Sequence, residues 1–511
     1  MKYYLAIDFG TQSLRLMVIN SSGVTQASLQ LSLELPTHEV AGWAEQKPEY
    51  YWDRLVEGCQ SLCKEEPLLM QKISGLGIAT QRGTVISVDN YGRATRSAIS
   101  WLDERRSIKV PDIVSYWRPI LAVIGARKAV RNMQQEAEVN WIREHELDVW
   151  QKTDKFLLLS GYLNFKLVGS FVDSAGAQVG YFPFDYRRQK WAASWDWKWS
   201  ALAVKPENLA KLYKVGDILG FVTEKAADAT GLPKGIPLVA CGADKACEVL
   251  GAGCLEEDYA CLSFGTSAAI NVSSKRYLEL SRFYPAFPAA LPDQYNLEHL
   301  VLRGFWMITW FLNEFAKKEV EEASAQSISG QEFFEEKIAT ISPGSDGLIL
   351  QPYWGSGAGY PGKEARGAMI GFTSSHTKVH IYKAIIEGLI YSLKEGAERL
   401  ENKLGQPFSA LRIVGGGSKS TQAMQMAADI FGLKSQRLEA HEATSLGVAV
   451  TVAVGLNDYK SFNTAVAGMV RVKDIFEPDT ARVEAYRKMY NQVYKKMYRS
   501  LQPYYKSLEA R

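Results

Sequence analysis

The stretch Tyr3-Tyr-Leu-Ala-Ile-Asp-Phe-Gly-Thr-Gln-Ser-Leu-Arg-Leu16 decides how this chain is read. An apolar run of strand type ends at Asp8. A glycine, hydroxyl and amide residues and one basic residue, Arg15, follow before a second apolar run, Leu16 to Ile19. The pattern predicts a tight β-hairpin. Its turn presents backbone N–H groups, the Thr11 and Ser13 hydroxyls, and a guanidinium beside a carboxylate. Such a turn suits a polyphosphate: N–H groups and Arg15 bind its oxygens, and Asp8 can hold an accompanying Mg²⁺ directly or through water. An ordinary glycine turn would look the same from this segment alone, so the rest of the chain must decide.

The chain has 511 residues, too many for one core, and suggests two large domains or three smaller ones. Apolar content of 47% and charged content of 23% are those of an ordinary globular protein. A net charge of +3 gives no argument for nucleic acid or a membrane surface. No charged segment followed by an apolar one opens the chain, and no apolar run reaches the roughly 18 residues that span a bilayer. Six cysteines, with Cys59 and Cys63 four apart in an expected helix and no nearby His, read as reduced thiols in a cytoplasmic protein.

Strands are expected at Tyr3–Phe9, Leu14–Ile19, Val24–Leu33, Ile73–Thr80 and Val85–Asp89, with a helix over Pro48–Lys64, and Ala98–Trp101 is a further apolar run. Near residue 255 the pattern restarts. Tyr259–Phe264 is apolar, ends in Gly265-Thr266-Ser267 and continues as Ala268–Val272. Two strand–turn–strand units of one design suggest a duplicated fold. Each half carries a mixed sheet with helices on its faces, and the active site lies in the cleft between residues 1–254 and 255–511. A long helix, Lys378–Asn402, a strand, Leu411–Val414, and a helix stopping at Gly432 follow. A last packing helix is expected over Thr480–Leu508, with Val483, Tyr486, Tyr490, Val493, Met497 and Leu501 on one face.

Four further segments suit the same chemistry. Gly265-Thr266-Ser267 offers a second hydroxyl-bearing turn that can close on the polyphosphate. Gly415-Gly416-Gly417-Ser418-Lys419-Ser420 follows a strand and opens a helix, so a flat adenine or ribose can approach its backbone. It is neither a dinucleotide fingerprint nor a Walker A loop. Asp244, after the strand Val239 and Gly242, can accept a proton from an attacking hydroxyl, although a helix cap is the plain alternative. Arg82, Asp103 and Arg105 can hydrogen-bond the hydroxyls of a polyol, while Trp101 offers an apolar face to its carbons.

Together these residues resemble the FGGY family of carbohydrate kinases over roughly residues 3–455. The most specific piece is Gly367-Ala-Met-Ile-Gly-Phe372, then seven residues, then His380-Ile-Tyr-Lys-Ala-Ile-Ile-Glu387. An N-terminal signature near Glu138–His145 fits more loosely, with Glu138 where the family usually has Lys. The resemblance implies an α/β fold of two ribonuclease-H-like domains, like actin, hexokinase and Hsp70, around an ATP cleft. It implies transfer of the ATP γ-phosphoryl group to a sugar or polyol hydroxyl. Asp8 then looks like the Mg²⁺-associated carboxylate, with Thr11, Ser13 and Arg15 around the phosphates. Gly265 and Thr266 form the opposing phosphate loop, and Asp244 corresponds to the general base. Gly416, Gly417 and Ser420 fall at the adenosine turn, and Arg82, Trp101 and Asp103 at sugar-contacting positions.

Departures bear on the acceptor. Thr80-Gln81-Arg82 looks most like glycerol kinases, but Gly83 stands where those have Glu, and Lys245 replaces a frequent Gln. Lys245 can lower the pKa of Asp244 or bind an anionic or hydroxyl-rich substrate. The segment Tyr353–Pro361 lacks the family's frequent Glu-Arg pair. A larger polyol or a ketose such as a pentulose is therefore expected rather than glycerol, and a homodimer is left open. Two other readings stay open: a kinase-fold protein that binds a sugar or regulator without turnover, and an actin- or Hsp70-like ATPase.

Overall fold

The computed structural model describes residues 1–355 and 361–509. Residues 356–360, inside the segment Tyr353–Pro361, lie outside them. Two large sheets dominate. The first runs in the order Ile218–Phe221, Pro237–Val239, Ile73–Thr80, Tyr3–Phe9, Ser13–Asn20, Thr25–Ser32. The second runs Phe287–Pro288, Tyr295–Val301, Ala268–Ser274, Tyr259–Phe264, Ala410–Val414, Lys434–Leu438, Val472–Phe476. In both, three successive strands pair antiparallel and the fourth pairs parallel to the first. Leaving aside the two-residue strand Phe287–Pro288, the halves share the spatial order third–second–first–fourth, so the repeat read from the two strand–turn–strand units is a duplicated sheet. The fold is α/β, of the two-domain actin and hexokinase type.

The first strand is buried almost throughout because it has a neighbour on each side and helices above and below, which its unbroken apolar run anticipates. Thr25–Ser32, at the edge, alternates between exposed and half-buried residues. Pro48–Glu65 begins at a proline and packs Tyr51, Leu55, Cys59 and Leu62, three or four apart, against this sheet. Lys378–Leu404 forms the spine of the second half, and Gly405 ends it in the left-handed conformation.

Two helices join the halves. Asp244–Gly251 crosses Ala443–Gly455 so closely that a Cβ on Gly251 would lie 1.8 Å from the Ala443 carbonyl oxygen. One on Gly447 would lie 1.9 Å from that of Cys247. The crossing carries Leu446, Val448, Val452 and Ala453 into one apolar cluster with Tyr4, Ala6 and Val239 of the first sheet.

Three elements differ from the sequence pattern. Val85–Val88 and Ala98–Ile99 join Lys155–Leu158 in a separate small sheet, whose neighbouring loop carries Trp101. The Gly-rich turn is a short 3₁₀ segment, Gly416–Lys419. The last helix is broken into Thr480–Met489, a π-turn at Tyr490–Tyr494 and Lys495–Glu509. Tyr486, Tyr490, Tyr494 and Tyr498 recur every fourth residue and are all buried. A four-residue repeat drifts around an α-helix of 3.6 residues per turn, and one wide turn resets it. Tyr490 and Tyr494 thereby meet Tyr391, with ring centroids 5.7 and 5.1 Å apart.

Candidate active site

A cleft of about 2160 Å³ lies between the two sheets, lined by residues of both halves. It exceeds the roughly 300–1,000 Å³ of a pocket for one drug-sized ligand. A nucleotide and a second substrate can occupy it together.

The Asp8 hairpin forms one wall. Asp8 is buried and stands opposite Arg15 in the strand register, with Arg15 Nη1 3.5 Å from its carboxylate. Arg15 also reaches Gln30 and, at 3.3 Å, Glu442. Burial pushes the Asp8 carboxyl up to about 7; Arg15 pulls against this, while Asp244, Glu442 and Glu248 add to it. Gly10 N–H donates to the Ser13 carbonyl to close the turn. The Thr11 hydroxyl donates to Gln81 at 2.8 Å and accepts from the Trp101 indole at 3.0 Å. Ser13 is buried at the start of the second strand and borders the cleft.

Asp244 is the first residue of its helix, and Ala243 holds the cap position. Burial raises the Asp244 carboxyl, and Arg82 and Lys245 pull it back without cancelling the rise. Arg82, at the end of Ile73–Thr80, reaches across the cleft: its Nη2 lies 3.0 and 3.3 Å from the two Glu298 oxygens. Lys245 Nζ donates to Glu248 at 2.8 Å and to the Ser263 hydroxyl at 2.9 Å. Burial works against the charge on Lys245, but Glu248 and Asp244 outweigh it and raise its pKa.

The second half supplies the facing wall. Thr266 is exposed at the tip of its turn, and Gly304 and Phe305 N–H donate to the Thr266 and Gly265 carbonyls. The Gly-rich segment stands beside it, with Gly416 facing open space and Gly417 against the Phe305 ring. Ser420 borders the cleft, but its hydroxyl is committed: it accepts from Ala423 N–H and donates to Glu335.

Asp103 stands apart from Arg82 and Trp101. It does not line the cleft. Its carboxylate accepts two side-chain hydrogen bonds from Arg105, both 2.7 Å, and one from Ala44 N–H, so it fastens its own loop. Arg105 in turn is held between the Trp43 and Trp141 rings. Glu138 also lies outside the cleft lining; burial, with Asp103 and Glu136 nearby, pushes its carboxyl up to about 8. The signature residue Glu387 is structural: it accepts from Gly344 N–H, Ser345 and Tyr486 at 2.8–3.0 Å.

Three acidic residues of the site escaped the sequence reading. Glu248 lies one turn beyond Asp244 on the same helix, a spacing that could have found it. Glu298 is a lone acid in an apolar strand, which is a signal for a partnered buried charge. Glu335 had no local signal.

The N-terminal domain of the FGGY family of carbohydrate kinases matches residues 3–251, and the family's C-terminal domain matches residues 260–456. The chain is 29% identical to the uncharacterized sugar kinase YgcE of Escherichia coli, covering 97% of this chain and 93% of that one. It is 26% identical to a xylulose kinase of Staphylococcus epidermidis, over 97% and 96%, and 24% identical to a gluconokinase of Bacillus subtilis, over 92% and 90%. Among solved structures, the xylulose kinase of Lactobacillus acidophilus superposes with a TM-score of 0.83 at 20% identity, over 99% of this chain and 100% of that one.

Proposed function

Because the chain belongs to the FGGY family of carbohydrate kinases, and is thus an ATP-dependent sugar kinase, we propose that its acceptor is a ketose such as a pentulose, or a larger polyol, and that Asp244 is its general base. One observation supports this above the others: Asp244, half-buried and with its carboxyl pKa raised, borders the same cleft as the Asp8 turn, Thr266 and the Gly416 turn. The acceptor hydroxyl oxygen attacks the γ-phosphorus, the bond from that phosphorus to the ADP oxygen breaks, and the hydroxyl proton passes to Asp244. Phosphoryl transfer of this kind needs positioning and charge neutralisation more than covalent chemistry. Arg15 and the Thr11 and Thr266 hydroxyls face the phosphates, and Gly416 and Gly417 lie along the adenosine. Lobes 1–254 and 255–511 closing on the substrates would exclude water, the competing acceptor.

The residues present fit Mg²⁺ carried in on the nucleotide. No three potential ligand side chains cluster among the described residues, yet the buried carboxylate of Asp8 faces the cleft at the hairpin turn. Mg²⁺ bound through one or two carboxylates plus substrate phosphates is the usual arrangement. There it would neutralise phosphate charge, and Asp8 would be its protein ligand, directly or through water.

Gly83 argues against glycerol. It sits at φ +70°, a conformation that strains a Glu side chain, and it leaves no carboxylate to grip a small triol. A charge-assisted hydrogen bond lost there is worth about 1.5–3 kcal/mol, or about 10- to 150-fold. The test is an ATP-dependent phosphorylation screen over glycerol, polyols, pentuloses and hexuloses. At least one five- or six-carbon acceptor should exceed glycerol about tenfold in kcat/KM. Glycerol as the best acceptor would contradict the reading, and ATP hydrolysis indifferent to any acceptor would favour an ATPase.

A further inference from the structure

We propose that the acceptor pocket selects uncharged acceptors and rejects sugar acids, and that Glu298 is a specificity-determining residue that sets this preference by neutralising Arg82 from across the cleft. The inference rests on the kinase reading above. A guanidinium at the end of a strand, bordering a cleft, is the natural partner for a substrate carboxylate. Here that role is already filled. Arg82 Nη2 holds both oxygens of Glu298, whose side chain is 2% exposed and belongs to the second-half strand Tyr295–Val301. The Phe287 ring, 5.1 Å from the guanidinium, covers Arg82. Lys245, the other cation beside Asp244, is likewise bound to Glu248 and Ser263.

The balance of charge around the base is therefore negative. Asp244, Glu248 and Glu298 carry three negative charges when ionised, and Arg82 and Lys245 carry two positive ones. A carboxylate-bearing acceptor would add another anion to a partly dry site already short of positive charge, which like-charge repulsion and desolvation both oppose. A neutral acceptor meets no such cost. Among the described residues only Nη2 of Arg82 has a side-chain partner, so Nε and Nη1 remain as donors for hydroxyl or carbonyl oxygens. Four other cations of the cleft lining have partners of their own. Arg15 pairs with Asp8 and Glu442, Lys198 with Asp196, and Arg187 and Arg303 lie over the Tyr277 and Trp306 rings.

Steady-state kinetics on a charge-graded panel test this: the pentuloses D-xylulose, L-xylulose, D-ribulose and L-ribulose, the hexulose D-fructose, xylitol, and the aldonates D-gluconate and L-gulonate. For the wild-type enzyme, the best uncharged acceptor should exceed the best aldonate by about 100-fold or more in kcat/KM. In Glu298→Gln, KM for the uncharged acceptor should rise about tenfold with kcat changed by less than threefold, and aldonate kcat/KM should rise, narrowing the gap at least tenfold. A role confined to holding the fold would lower both acceptors together. Glu298→Asp keeps the charge and should keep the wild-type preference; should Glu298→Gln not fold, the wild-type panel still decides. An aldonate as the best wild-type acceptor, or an unchanged gap in a folded Glu298→Gln protein, overturns the inference and leaves the kinase reading standing. Failure of every acceptor, charged or not, overturns both.

Discussion

The two hairpins that face each other across the cleft are built to one plan and charged differently. The first reads Asp8-Phe9-Gly10-Thr11, and the second reads Ser263-Phe264-Gly265-Thr266. In both, the phenylalanine is buried at the end of the first strand and the threonine sits in the turn. The first position carries the difference. Asp8 stands opposite Arg15 across its hairpin, whereas Ser263 stands opposite Ala269. Asp8 offers a buried carboxylate paired with Arg15, while Ser263 bridges Lys245 and Glu248 beside Asp244. The duplicated backbone thus presents the same kind of turn twice, but only the first copy places a carboxylate in it. The second turn is braced instead by Gly304 and Phe305, whose N–H groups donate to its carbonyls. A turn that binds through neutral donors must be held rigid by its neighbours.

Exchanging the odd residue in each copy should produce unequal losses. Asp8→Asn should lower kcat/KM for Mg-ATP by about 10²–10³, the range for removing one electrostatic contact to the reacting group. Ser263→Ala should cost less than about tenfold, because Lys245 and Glu248 still hold each other. Equal losses would break the comparison.

The next effect is in pH. With its carboxyl near 7, Asp8 holds a proton at lower pH, and a bound cation must displace it. Mg-ATP affinity should therefore weaken up to about tenfold for each pH unit below 7. Nucleotide phosphates titrate in the same range, so calorimetric titrations of Asp8→Asn supply the baseline. The same slope in the variant would assign it to the nucleotide alone.

The smallest effect is on stability. Asp8 has a folded pKa of about 7 against 3.8 for the free side chain. The folded protein therefore binds the extra proton between these values, and the stability contributed below pH 4 is lost as pH rises through 7. Without ligand, Asp8→Asn should be more stable than wild type at pH 8, by a few kcal/mol at most, and the gap should shrink toward pH 5. Denaturant unfolding at the two pH values measures this. A destabilised variant at pH 8 would show that Arg15 outweighs burial at Asp8.

Local signals carried the sequence reading far. The hairpins, the Asp8 turn and the Gly-rich turn each lie within a short window where an apolar run, a glycine and a polar residue follow in order. Ile73–Thr80 and Tyr259–Phe264 begin and end where their apolar runs do. What the windows could not show was distance. Arg82 and Glu298 are 216 residues apart, and Ser420 and Glu335 are 85 apart. Asp103 is a case of the same kind: its carboxylate accepts from the N–H of Ala44, on a loop 59 residues earlier in the chain. The helix Ala443–Gly455 belongs to the second half in sequence yet packs on the first sheet, because paired glycines let two helices touch. The π-turn at Tyr490–Tyr494 follows from a four-residue tyrosine repeat that a search at helical spacing takes for an ordinary stripe.

Asp244 as the base carries the whole account, and one comparison tests it most directly: turnover of the best acceptor by wild type and Asp244→Asn, with ADP affinity measured on both. The variant should lose about 10²–10⁴-fold in kcat, as expected for a positioned general base, and should bind ADP as tightly as wild type. A folded variant that keeps more than about a tenth of wild-type kcat would show that the acceptor proton goes elsewhere and that Asp244 is not the base.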